Sequence, residues 1–200
     1  MPYQDLSDSQ LLAAHVDGQS AAFGELFDRH RDRLWSVALR TAGSPEDAAD
    51  ALQDAMIAAF RRAASFRGEA AVTTWLHRIV VNACLDQHRR RKARPTTSWI
   101  ETLHEHPGDT DDMANRELQI ELERALAGLP DDQRAAIVLV DVEGYSVEEA
   151  ATILECPPGT VKSRCSRGRA KLAKRLDAVR NPAQASDVLP ERQGGVARDE

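Results

Sequence analysis

The residues best equipped for chemistry in this chain are cations, and their spacing suits recognition rather than bond making. Between Cys156 and Leu176 stand seven Lys and Arg and no Asp or Glu. At about 100° per residue, Val161, Cys165, Gly168, Leu172 and Leu176 fall on one side of a helix and Ser163, Ser166, Arg167, Ala170 and Lys174 on the other. Lys162, Arg164, Arg169 and Arg175 take the flanks. Small residues let a helix backbone sit deep in a major groove while Arg and Lys reach base edges and phosphates. A merely solvated face usually mixes charge signs, so this one reads as a surface for duplex DNA.

A second cationic set stands at Arg78 and at Arg89, Arg90, Arg91, Lys92 and Arg94, on a stretch whose apolar stripe is Trp75, Leu76, Ile79, Val80, Ala83 and Cys84. A basic run at a helix C-terminus complements the helix dipole and needs no ligand. Beside aromatic residues it also suits single-stranded DNA, whose bases stack while charge tracks the backbone.

Other chemistries find little support. No G-x-x-x-x-G-K-[ST], H-E-x-x-H or G-x-S-x-G motif occurs, so an enzyme and catalytic residues are not expected. His104-Glu105-His106 lacks a ligand set in an acidic, irregular segment, so no metal and no cofactor are expected. Cys84, Cys156 and Cys165 form no C-x-x-C pair and read as reduced thiols, mostly core. No stretch reaches the length of a membrane span and the N-terminus lacks a signal-peptide pattern, so the expectation is a cytoplasmic protein with no membrane insertion and no small-molecule substrate.

The elements that must position these residues are helical. Gly144 ends an apolar run, and Ser146 with Glu149 forms a capping box that opens a short helix at Val147, closing near Glu155. Pro157 and Pro158 cannot continue that helix but fit the first turn of the next, giving a helix-turn-helix. Upstream, Ser44 caps a helix begun by Pro45, with Glu46 and Asp47 in its first turn. Ala48, Leu52, Ala55, Met56 and Ala59 form its apolar face, leaving Asp47, Asp50, Gln53 and Asp54 largely outside it; spacing alone makes these acids solubilising. Residues 6–41 read as two or three short helices with Gly18 and Gly43 as stops. The Pro-, Gly- and acid-containing residues 96–113 read as a flexible linker, 114–128 as an amphipathic helix, and 177–200 as a disordered tail. The expected architecture is all-α, two small helical domains at 7–95 and 114–176.

The net charge of −6 is uneven: residues 75–100 and 156–176 hold thirteen of the 26 basic residues and one of the 32 acids. Two cationic patches on an acidic body point to DNA at two places and to protein partners elsewhere.

Taken in order, the acidic helix with Asp50, Gln53 and Asp54, the FRG at 66–68, TWLHRIVVNACLD with its Arg run, LPDDQRAAIVLVDVEGYSVEEAA and PPGTVKSRCSRGRAKL resemble an extracytoplasmic-function sigma factor over residues 7–176. Within that family the wording is similar to the actinobacterial sigma-M type. The resemblance implies a sigma-two domain binding core RNA polymerase and the minus-10 element, and a sigma-four domain reading the minus-35 element. Asp50, Gln53 and Asp54 match the D-x-x-Q-E that contacts the clamp helices of the β′ subunit, with Asp54 shorter than the usual Glu. Phe66 and Asn82 match the pocket for a flipped minus-10 base, with Trp75, Arg78, Arg89 and Arg90 completing that surface. Lys162, Ser163, Arg164, Ser166 and Arg167 match the minus-35 surface. Core polymerase (β′ clamp helices and β flap), promoter DNA and an anti-sigma factor are the implied partners, in transcription initiation at stress-response genes. The competing reading is a stand-alone helix-turn-helix regulator, in which the acidic helix and the second basic patch are incidental.

Overall fold

The computed structural model describes residues 3–93 and 113–180. Every element among them is helical: α1 (Asp8–Val16), α2 (Ser20–Ala42), α3 (Pro45–Arg62), α4 (Val72–Ala93), α5 (Met113–Ala127), α6 (Asp131–Ile137), α7 (Val147–Ile153) and α8 (Pro158–Arg180). A 3-10 turn at Ala63–Ser65 follows α3, and a π-helical stretch, Val138–Val142, continues α6.

Local signals account for most boundaries. Ser44 Oγ accepts from the amide of Asp47, Pro45 opens α3, and a full capping box of Ser146 and Glu149 opens α7. Residues 20–42 form one 23-residue helix rather than shorter pieces, stopped by Gly43 at φ 82°. The recognition helix continues through Arg180, past the expected boundary at Leu176. The expected linker at 96–113, but for Met113, and the tail beyond Arg180 lie outside the described residues.

Leu11, Leu26, Leu34 and Val37 of α1 and α2 pack with Ala48, Ala55 and Ala59 of α3 and with Leu76, Val80 and Cys84 of α4. Alanine on the inner face of α3 allows close helix approach. The same apolar cluster continues into Ala135, Leu139, Ala150, Ile153, Val161 and Cys165, so the two helical groups share one core. In the second group Gly168 lets α8 approach α6: a Cβ there would lie 2.9 Å from Ile137 Cγ1.

Three buried polar residues refine the reading from pattern. Asp47 does not lie off the apolar face; it is 8% exposed and ion-paired with Arg91. His77 is fully buried on α4, where Nδ1 lies 2.8 Å from the Tyr145 hydroxyl and Nε2 has no partner among the described residues. Arg134, 3% exposed, reaches from α6 to the end of α2.

Burial lowers the His77 pKa from 6.5 to about 4, against a smaller opposing attraction from Glu143. The unfolded chain therefore takes up a proton between those values that the folded chain refuses. This contribution is fully present above pH 6.5 and is lost as pH falls toward 4, at most on the order of 3 kcal/mol. His77→Gln, which keeps a partner for Tyr145, is expected to flatten the pH dependence of the urea midpoint in that window. Identical slopes in variant and wild type would contradict the assignment.

Candidate nucleic-acid and polymerase interface

On α8, steric order follows the angular pattern. Val161, Cys165 and Gly168 are buried, whereas Lys162, Ser163, Ser166 and Arg167 are exposed together. Pro158 at the helix start and the left-handed Glu155, φ 51°, set the sharp turn from α7. Ser163 Oγ donates to the Thr160 carbonyl at 2.9 Å, and Arg167 donates to the Ser163 carbonyl and hydroxyl at 3.2 and 3.1 Å. Arg167 thus lies along its own helix, held only by exposed bonds that a base edge or phosphate can replace. Arg164 behaves differently: Nε sits 3.2 Å from Asp132 Oδ2 and Nη1 3.5 Å from Cys156 Sγ, which ties α8 to α6. Arg169 makes a two-pronged pair with Asp141, at 3.0 and 2.6 Å.

On the other group, a groove of about 1260 Å³ runs between α3, the 66–71 loop, α4 and α7. Phe66, Trp75, Arg78, Asn82 and Arg90 all line it. The Phe66 and Trp75 rings meet edge to face, centroids 5.6 Å apart. An aromatic pair, an amide and guanidinium groups in one open groove can stack a base, read its edge and hold its phosphate. Arg89 lies outside this lining, exposed and paired with Asp86 on its own helix.

Asp50, Gln53 and Asp54 are exposed on a single face of α3. The Arg run of α4 runs alongside: Gln87 Nε2 and Arg90 Nη1 approach Asp50 and Asp54 at 3.5 Å each, and Arg91 pairs with the deeper Asp47. The two expected surfaces therefore adjoin, and the basic helix aligns the acidic one.

Two expectations drawn from spacing have a structural outcome. No group of three or more metal-ligating side chains occurs among the described residues, and His104-Glu105-His106 lies outside them. No helix among the described residues is long and apolar enough to cross a membrane. Cys84 is buried, its thiol pushed up to about 12 by desolvation, and burial raises Cys165 as well; neither suits a reactive thiolate. What pattern reading missed is the set of cross-group contacts, Arg134, Tyr145–His77, Arg33–Glu143 and Arg78–Glu155, because long-range pairs leave no periodic trace.

Because Arg164 is held inward, Arg164→Ala is expected to lower stability by about 1 kcal/mol, whereas Arg167→Ala should change it by less than about 0.5 kcal/mol. Urea denaturation of both variants reads this directly; equal midpoints would remove the distinction.

The comparisons with known proteins meet this geometry at both surfaces. Residues 26–94 match the family model "Sigma-70 region 2", and residues 119–172 match "Sigma-70, region 4". The chain is 53% identical over 170 residues to the ECF RNA polymerase sigma factor SigM of Mycobacterium tuberculosis, covering 85% of each chain. The sigma factor RpoE of Bartonella quintana, solved with the anti-sigma factor NepR, superposes with TM-score 0.65 at 30% identity, over 78% of this chain and 96% of that one. CnrH, solved with the cytosolic domain of CnrY, gives TM-score 0.60 at 31% identity, over 86% and 97%.

Proposed function

The chain belongs to the extracytoplasmic-function RNA polymerase sigma factors, and from that premise we propose which of its surfaces carry out promoter recognition. As a member of that family it is a transcription initiation factor that directs RNA polymerase to promoters, and a stand-alone regulator is set aside. Core RNA polymerase and promoter DNA are its working partners, and an anti-sigma factor is its restraint, as in the RpoE and CnrH complexes. Its place of work is the cytoplasm, where polymerase and promoters are, at genes of a stress response.

The observation that carries the residue assignments is the coincidence of charge with exposure. The α3 face with Asp50, Gln53 and Asp54 docks on the β′ clamp helices, and the second domain, bounded at 114–176, meets the β flap. The groove with Phe66, Trp75, Arg78 and Asn82 takes the minus-10 strand, with Arg89 and Arg90 on its phosphates. The exposed face of α8 with Lys162, Ser163, Ser166 and Arg167 enters the minus-35 major groove, and Arg164 on its flank holds that helix at its angle. Catalytic chemistry stays with polymerase. The chain's share of melting is to bind an extruded base, against an unstacking cost of a few kcal/mol.

Asp50→Ala combined with Gln53→Ala is expected to abolish association with core polymerase in a pull-down while circular dichroism stays native; retained association would overturn the docking face. Arg167→Ala should weaken minus-35 binding by about 1–3 kcal/mol and relax base preference at one position. A uniform loss across sequences in a competition assay would demote Arg167 to a phosphate contact.

A further inference from the structure

One wall of the minus-10 groove comes from the other domain. Glu149, Thr152, Ile153 and Glu155 of the α7 region line it opposite Phe66, Trp75 and Asn82. Glu155 Oε1 accepts from Arg78 Nη2 at 2.8 Å. An arginine proposed for the strand's phosphates is thus already paired with a carboxylate, and an entering strand meets two acids of its own sign.

This contact is one of a ring. Arg134 donates to the carbonyls of Thr41 and Ala42 at 2.8 and 3.0 Å and to Asp131 at 3.0 Å. Lys92 of α4 pairs with the same Asp131 at 2.6 Å. Together with its neighbours Arg134 and His88 it holds the Asp131 carboxyl below its usual range, although burial opposes this. Arg33 of α2 pairs with Glu143 at 3.0 Å, and the Tyr145 hydroxyl meets His77. The centre of the ring is buried; its rim is exposed, with Arg33, Arg78 and Lys92 side chains 55%, 45% and 73% accessible. Such a contact has a fixed core and a salt-screened edge, which suits an interface that opens as a unit.

We infer that the chain is closed on itself: its second domain, docked through Arg134 on the C-terminal end of α2, occupies the minus-10 groove and must leave before the strand enters. Occupation by α7 reduces apparent strand affinity by the fraction of chains that are open. The inference rests on the reading of that groove as the strand site, and the experiment keeps the two separate.

The test uses the full chain with Cys156→Ser, dyes at Asp32→Cys and Lys171→Cys, and a labelled random-sequence single strand as the binding probe. Arg33→Glu sets two carboxylates against each other at the exposed rim, and adding Glu143→Arg restores the pair with reversed polarity. Expected are a single short dye distance in the parent, a longer one in Arg33→Glu with roughly tenfold tighter strand binding, and return of both in the charge swap. A parent distance that is already long, or one that Arg33→Glu leaves unchanged, overturns the closure. A lengthened distance with unchanged strand affinity overturns the occlusion. If Phe66→Ala with Asn82→Ala leaves strand affinity intact in the opened variant, the strand-site reading fails, while the distances still decide whether the chain closes.

Discussion

The arrangement of the two domains depends on one buried charge. Arg134 stays ionised at any accessible pH, and a guanidinium at 3% exposure is tolerated only where each donor meets an acceptor. Its acceptors come from three segments: Thr41 and Ala42 at the end of α2, Ala127 at the end of α5, and Asp131 one turn before it on α6. Burial disfavours its charged form, and Asp131 opposes that effect. The last carbonyls of a helix lack intrahelical donors and carry the negative end of its dipole. The arginine and the helix end therefore satisfy each other. Gly43 makes the approach possible, since a Cβ there would lie 2.9 Å from Nη1, and its left-handed φ of 82° turns the chain away. His88 Nε2 stands within reach of both the Ala42 carbonyl and Arg134 and serves one of them according to tautomer.

From that point the function follows by geometry. Docking α6 on α2 carries α7 against α4, which places acids over the groove lined by Phe66, Trp75 and Asn82. The recognition face of α8 remains exposed in the same body. On the proposed reading, the surface for duplex is available before the surface for melted strand. Polymerase docking on the adjoining acidic face of α3 is then placed to influence α4, because Gln87, Arg90 and Arg91 connect the two helices.

The helices and the exposed face of α8 were legible because capping boxes, prolines and a 3.6-residue period are local signals. Val161, Cys165 and Gly168 are buried as their angles required. The family was legible because several motifs occur in one order, and SigM-like wording met a relative of that name. Tertiary pairing was not legible. Asp47 read as a surface acid until Arg91, 44 positions later, covered it. Arg164 shares its flank with Lys162, and only the position of Asp132 distinguishes a tether from a free cation. Arg134 sits in an apolar run where pattern says nothing of what it reaches.

The most direct measure of the account is hydrogen exchange on the whole chain, alone and bound to core polymerase. If Arg134 fixes a closed body, amides at the end of α2 and through α7 are slow in the free chain and speed up together when polymerase binds. Fast exchange through α7 in the free chain, independent of the α2 end and unchanged by polymerase, would contradict it.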